Sequence, residues 1–153
     1  MLIQSELHIR KCRESDLFAV QELVDDLYAN DPNTVDLRPQ ISLTFAELDS
    51  KPDKGVLLVA TNPEGLLVAY CIAIFFWSNE YAGNIIDLDE MNVLPNYRHH
   101  GIGTSLLNYL KETYRENLSG FCCQVSRENQ PAIRFCRSHG FAISRNEHWI
   151  AVS

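Results

Sequence analysis

Apolar residues first recur at helical intervals. Leu17, Val20, Leu23, Val24, Leu27 and Tyr28 return every three or four positions, predicting an amphipathic helix opened by a Ser15 cap and broken at Asp31-Pro32-Asn33. Leu7 to Lys11, just before it, reads as a strand. Thr44 and Glu47, three residues apart, resemble a capping box and predict a second, shorter helix through Leu48, with a loop from Asn30 to Ile41 between the two. The pattern then shifts to β-prone runs. Val56 to Ala60 and Leu66 to Trp77 flank Asn62-Pro63-Glu64-Gly65, whose Pro and Gly suit a tight hairpin turn. After a turn at Gly83-Asn84, Ile85 to Val93 reads as a strand. Its alternation puts Asp87, Asp89, Met91 and Val93 on one side and Leu88, Glu90 and Asn92 on the other.

Helical spacing resumes at Thr104, with Leu106, Leu107, Leu110 and Tyr114 on one face and Asn117-Leu118-Ser119-Gly120 as the stop. Phe121 to Ser126 reads as a strand. Asn129 and Pro131 then open a short helix carrying Ala132, Phe135, Cys136 and His139 along one side, ended by Gly140. Phe141 to Ser144 and His148 to Val152 are expected to close the chain as a strand pair. This order predicts one α/β (α+β) domain over residues 1–153. Its sheet is mixed and mostly antiparallel, with six to seven strands flanked by about four helices.

Charge narrows the range of partners. A formal net charge of −7 lacks the basic face that a phosphate backbone requires, so nucleic acid is not expected; an acidic field favours cationic ligands at close range, but solubility is the commoner use of such a charge and the charge alone decides little. The N-terminus M-L-I-Q-S-E-L-H-I-R-K is too polar for the apolar core of a signal peptide, and Leu66 to Trp77 falls short of the roughly 20 residues of a membrane helix. Cys12, Cys71, Cys122, Cys123 and Cys136 form no C-x-x-C pair and have no histidine at metal-ligand spacing, so they are expected to be reduced thiols with no metal. These features together predict a cytoplasmic protein with no membrane partner.

The segment richest in chemistry is I-I-D-L-D-E-M-N-V-L-P-N-Y-R-H-H-G-I-G-T-S-L-L, residues 85 to 107. Gly101 and Gly103 allow close backbone approach, and the loop runs into a helix N-terminus whose free amides and dipole suit a pyrophosphate. No G-K-[ST] follows, so it is not a P-loop; nor does it sit in the early β-α-β unit of a dinucleotide fold. Glycine at a helix start also has a purely steric explanation.

V-x-P-x-Y-R-x-x-G-I-G, Val93 to Gly103, resembles the acetyl-CoA signature of the GNAT superfamily of N-acetyltransferases, with Arg98, Gly101 and Gly103 at its fixed positions. Asn129, Ala132, Phe135, Gly140 and Phe141 are similar to a second family element at matching spacing, and I-R-K-C-R-E-S-D-L resembles the family's opening. The resemblance spans essentially the whole chain. It implies a sheet splayed open between the strand ending at Val93 and the strand starting at Phe121, with acetyl-CoA as cosubstrate. Met91, Asn92 and Val93 would meet its pantetheine arm through the strand, and Arg98, His99, His100, Gly101, Ile102, Gly103 and Thr104 its pyrophosphate. Asn129, Ala132 and Phe135 would complete the cofactor site.

The activity so implied is transfer of acetyl to a primary amine, with a small-molecule acceptor, by direct attack in a ternary complex. An alkylamine with a pKa of about 10.4 must first lose a proton. Asp89 and Glu90 occupy positions where the family often carries the residues that remove it, although solvation, a salt bridge or holding the substrate's charge would also account for them. An amide near Met91 would stabilise the developing oxyanion. The tyrosine that commonly protonates the departing thiolate is replaced by Cys136, a residue type with an ordinary pKa of about 8.5 that matches the task, though packing explains it equally well. Trp77, Tyr81 and the loop from Asn30 to Ile41 are expected to border the acceptor site. A homodimer through late strands such as His148 to Val152 follows by the same resemblance. Two further readings remain: a non-catalytic acetyl-CoA sensor that has lost its acid, and a protein lysine or N-terminal acetyltransferase.

Overall fold

The computed structural model describes residues 6–153. The opening residues 1–5, part of the stretch on which the absence of a signal peptide is read, lie outside the described residues. Strands β1 (His8–Lys11), β2 (Gly55–Thr61), β3 (Leu67–Ser78), β4 (Gly83–Val93) and β5 (Leu118–Cys123) form one sheet in sequence order. Every pairing is antiparallel except β4 with β5, which are parallel and joined by helix α3 (Ile102–Thr113). Helices α1 (Leu17–Ala29) and α2 (Ile41–Ser50) precede β2, and α4 (Gln130–Ser138) follows β5.

The helices bury both sheet faces, which is why β2 and the first half of β3 are apolar without interruption. On one face Val20, Leu23 and Val24 of α1, with Ile41 and Leu48 of α2, pack on Leu57, Val59, Tyr70 and Ile72. On the other, Ile102, Leu106, Leu107 and Leu110 of α3 cover Val56, Leu58, Ala60, Ile86 and Leu88. Leu106, Leu107 and Leu110 are fully buried, each worth about 1.5–3 kcal/mol relative to an exposed side chain.

The sheet has five strands rather than six to seven. Phe141–Ser144 and His148–Val152 join no ladder, and Ile143, Trp149, Ile150 and Val152 are each more than two-thirds exposed. Their apolar character is not matched by a neighbouring strand; a side-chain contact between Gln124 and His148 links this tail to the end of β5. β5 also starts three residues before Phe121. Asn117 takes a positive φ and turns the chain so that Leu118 pairs with Asn84, and Gly120, read as a helix stop, lies inside the strand.

The helix starts differ as well. Ser15 does not cap α1; Asp16 accepts from the Arg13 amide at 2.7 Å and pairs with Arg10 at 2.6 Å. α2 begins three residues before Thr44, at Ile41, whose amide donates to Gln21 Oε1 on α1, while Glu47 binds Lys51 and Lys54 instead of closing a capping box. α3 begins at Ile102 rather than Thr104. Among the described residues no helix is long and apolar enough to cross a membrane.

Candidate active site

β4 carries the site and changes phase within it. Ile72 of β3 lies opposite Glu90 and Ala73 opposite Leu88, so Asp89 is the extra residue of a bulge. Strict alternation would have put Asp89 beside Met91, with Glu90 beside Leu88. The bulge instead leaves Leu88, Met91 and Val93 facing α3 and turns Asp87, Glu90 and Asn92 to the opposite face, where Glu90 and Asn92 meet α1, with Asp89 projecting at the shift. Asp87 and Glu90, expected on opposite sides, share one face.

Glu90 is held there by two phenols. Tyr28 of α1 donates to Oε2 at 2.5 Å and Tyr70 of β3 to Oε1 at 3.0 Å. Burial raises the carboxyl above its ordinary value; the two hydroxyls oppose that rise and Asp89 adds to it. Both tyrosines are pushed upward, by burial first and then by Glu90, so they remain neutral donors. Asp89 keeps open surface, but protein packed around its base still raises its carboxyl through lost hydration. Asp87 is raised by burial and by Asp89, against a hydrogen bond with Cys122 and the nearby charge of His148. The sequence pattern placed Tyr28 on the apolar face of the first helix and did not single out Tyr70. Tyr70 carries the one hydroxyl in the apolar run from Leu66 to Trp77, and a buried hydroxyl there needs a partner, which was the available signal.

Pairing between β4 and β5 ends at Leu88 with Cys123. From Asp89 to Val93 the β5-facing edge of β4 therefore stands open, at the place where a splay was expected. The amide of Val93 is engaged by Asn92 Oδ1 at 3.0 Å and its carbonyl by Arg98 Nε at 2.9 Å. The side chains of Asn92 and Arg98 both have partners within the protein. The Asn92 amide nitrogen donates to Leu23 O and Asp26 Oδ2, both at 2.9 Å, and the Arg98 guanidinium folds back onto Asp26 at 3.1 Å. Together they tie the end of β4 to α1.

The loop after Arg98 fits a pyrophosphate. His99 and Gly101 both take positive φ, 63° and 81°, and Gly101 leads into α3 with no side chain capping the helix start. The first-turn amides of Ile102, Gly103 and Thr104 have no carbonyl four residues back within the helix, which leaves them and the helix dipole for an anion. Gly103 has a separate steric reason: a Cβ there would lie 3.0 Å from the Phe135 ring and 3.4 Å from Met91 Sδ. His99 is exposed and His100 half-buried. The Thr104 hydroxyl meets His139 Nε2 at 2.9 Å while His139 Nδ1 donates to the Phe135 carbonyl, so α4 is clamped to the loop.

On α4, Asn129 acts as the helix cap, accepting from the Ala132 amide at 3.1 Å, which occupies both groups locally. Phe135 stacks on His139 with centroids 4.2 Å apart. Cys136 points to the end of β5, its Sγ 3.4 Å from that of Cys123, a neighbour not anticipated from sequence. On the other side the α1–α2 loop crosses the mouth of the opening, where Asn33 donates to Ser126 Oγ at 3.2 Å. Trp77 and Tyr81 do not border Glu90. Trp77 lies opposite Asn84, six residues along β4, or about 20 Å at strand rise.

The match to the acetyltransferase (GNAT) family model covers residues 19–141, taking in most of α1, the bulged strand, the loop and α4. The chain belongs to this family. As a GNAT acetyltransferase it is an acyltransferase. The chain shares its fold with a possible acetyltransferase from Clostridium difficile 630, at 23% identity and a TM-score of 0.78 over 96% of this chain and 98% of that one. It is likewise similar to the aminoglycoside antibiotic 6'-N-acetyltransferase AAC(6')-Ih from Acinetobacter baumannii, at 18% identity and a TM-score of 0.74 over 96% and 98%. A third similar structure is the aminoglycoside N-acetyltransferase AAC(6')-Iy in complex with CoA, at 17% identity and a TM-score of 0.74 over 95% and 94%.

Proposed function

We propose that this GNAT domain acetylates a primary amine of a small cationic molecule by direct attack in a ternary complex, with Glu90 as the base. One observation carries the reading. Asp87, Asp89 and Glu90 line the β4 side of the opening, and among the described residues none of them is in a salt bridge with a lysine or arginine. Three carboxylates without a lysine or arginine partner suit an acceptor that brings its own positive charge. The α1–α2 loop across the mouth, and His148 close to Asp87, support an enclosed pocket and so a small molecule. The similar structures that are aminoglycoside acetyltransferases point the same way.

Acetyl-CoA supplies the acyl group as an activated thioester. The protein's own groups supply the rest. The first turn of α3, with Gly101 in the left-handed region, would hold the pyrophosphate, and the open edge of β4 around Met91 would receive the pantetheine arm. Glu90, raised by burial, takes the ammonium proton directly or through a water, each of its oxygens keeping a second acceptor position beside its tyrosine. Asp89 at the bulge holds the acceptor's charge. Cys136 Sγ presents a proton for the departing thiolate.

Four large apolar side chains exposed in the last eleven residues support a homodimer through this tail, which sedimentation velocity would test. The five free cysteines suit the reducing cytoplasm. The function itself is tested with acetyl-CoA and a panel of polyamines, aminoglycosides, amino acids and lysine peptides, with free CoA quantified by chromatography. Small polycations are expected to accelerate release. Acceleration by peptides alone would reassign the acceptor, and tight cofactor binding without acceleration would favour a sensor.

A further inference from the structure

Cys123 and Cys136 meet where β5 ends and α4 passes over it, with sulfurs 3.4 Å apart and both residues half-buried. A disulfide requires about 2.05 Å, so closing the bond asks for a sulfur displacement of little more than an ångström, within reach of a side-chain rotation. The remaining thiols are placed differently. Cys12 and Cys71 are buried in the core, and Cys122 points to the opposite face of β5, toward Asp87. The paired geometry is therefore confined to the one cysteine that the mechanism uses and a partner it does not use.

We propose that Cys123 and Cys136 form a reversible disulfide under peroxide, and that this bond switches the enzyme off by removing the Cys136 proton and locking α4 to β5. The switching half of this inference rests on the acid role given to Cys136 above; the bond itself does not. Burial, reinforced by the hydrogen bond with Cys136, pushes the Cys123 thiol up and so disfavours its thiolate, and in the proposed order the α4 sulfur of Cys136 meets the oxidant first. The Cys136 thiolate attacks one peroxide oxygen, the O–O bond breaks, and a sulfenic acid and one water result. Cys123 then displaces the sulfenic oxygen. An S–S bond forms, the S–O bond breaks and a second water leaves, so two thiols are oxidised by two electrons as one peroxide is reduced. Without Cys123, the Cys136 sulfenic acid has no adjacent thiol to capture it and can be oxidised further to the irreversible sulfinic acid.

The test treats the reduced full-length protein with hydrogen peroxide, follows mass and peptide map, and measures acetyl transfer before and after dithiothreitol. Wild type is expected to lose two hydrogens, to give one cross-linked peptide joining Cys123 to Cys136, and to lose transfer about 100-fold, the lower end of what a positioned acid contributes. Dithiothreitol should restore it. Cys122→Ser should retain the cross-link. Cys123→Ser should match wild-type activity when reduced, form no cross-link, and stay inactive after dithiothreitol because Cys136 has gone to the sulfinic acid. Oxidation of wild-type Cys136 to that acid with no cross-link overturns the proposal, and so does a cross-link that leaves transfer unchanged. Failure of the reduced protein to acetylate any amine would instead overturn the functional reading, since the cross-link is read by mass alone.

Discussion

Removing the Tyr28 hydroxyl isolates what the two phenols do for Glu90. In Tyr28→Phe the ring remains packed on α1, but the carboxylate loses its 2.5 Å donor and keeps only Tyr70 at 3.0 Å. A hydrogen bond to a charged group contributes about 1.5–3 kcal/mol, so the ionised form of Glu90 should become less populated by about 10- to 100-fold at any pH below its titration. The sign follows directly. The Tyr28 hydrogen bond opposes the rise that burial causes, so deleting it raises the Glu90 carboxyl further. A base must be ionised to act, and the acid limb of the pH profile of kcat/KM should therefore move to higher pH, while activity well above the limb changes little. The assay is initial-rate CoA release against pH, with Tyr70→Phe alongside and acetyl-CoA affinity measured separately by calorimetry. An unshifted limb in both variants, or a uniform loss at every pH, would refute the assignment of these hydroxyls to Glu90's charge.

Other consequences are as definite. Cys136→Ala should lower kcat about 100-fold with acetyl-CoA affinity within a few-fold of wild type, read by steady-state kinetics and calorimetry. Gly101→Ala places a side chain at φ 81°, a left-handed position costing about 1–2 kcal/mol, and should weaken acetyl-CoA binding measured by calorimetry while Gly65→Ala, at φ 86° in a distant turn, should not. Asp16→Ala removes a carboxylate bound to Arg10 and to the Arg13 amide and should cost about 1.5–3 kcal/mol in urea titrations at pH 7. Arg10 and the other partners hold Asp16 below its ordinary value. Its contribution should thus be present above the unfolded-state pKa near 3.9 and vanish as pH falls through the lowered folded value, so the variant and wild type converge in acid.

Local patterns made most of the fold legible. α1, the β2–β3 hairpin, β4 and α4 each follow from periodicity and turn residues within a short window, and Gly101 with Gly103 marked the anion loop. Longer-range features were not legible. A bulge is fixed by pairing between two strands, so no count along β4 alone could show that Glu90 turns to α1, or that Asp87 shares its face. The side chains of Asn92 and Arg98 were drawn off by Asp26, 66 and 72 residues away, which spacing cannot show. Asn129 was legible as the opening of α4 and caps it, because a short polar side chain before Pro131 satisfies the helix start. The tail after Phe141 has strand-like residues without a strand to pair with. Cys123 beside Cys136 arises from the packing of α4 on β5.

The most direct test of the account is mass spectrometry of the acetylated product formed from acetyl-CoA and a small polycation, with wild type and Glu90→Gln compared at pH 7. The account predicts an acetylated amine with wild type, a yield at least about 100-fold lower with Glu90→Gln, and the same acetyl-CoA affinity for both. Equal yields from the two proteins would contradict it.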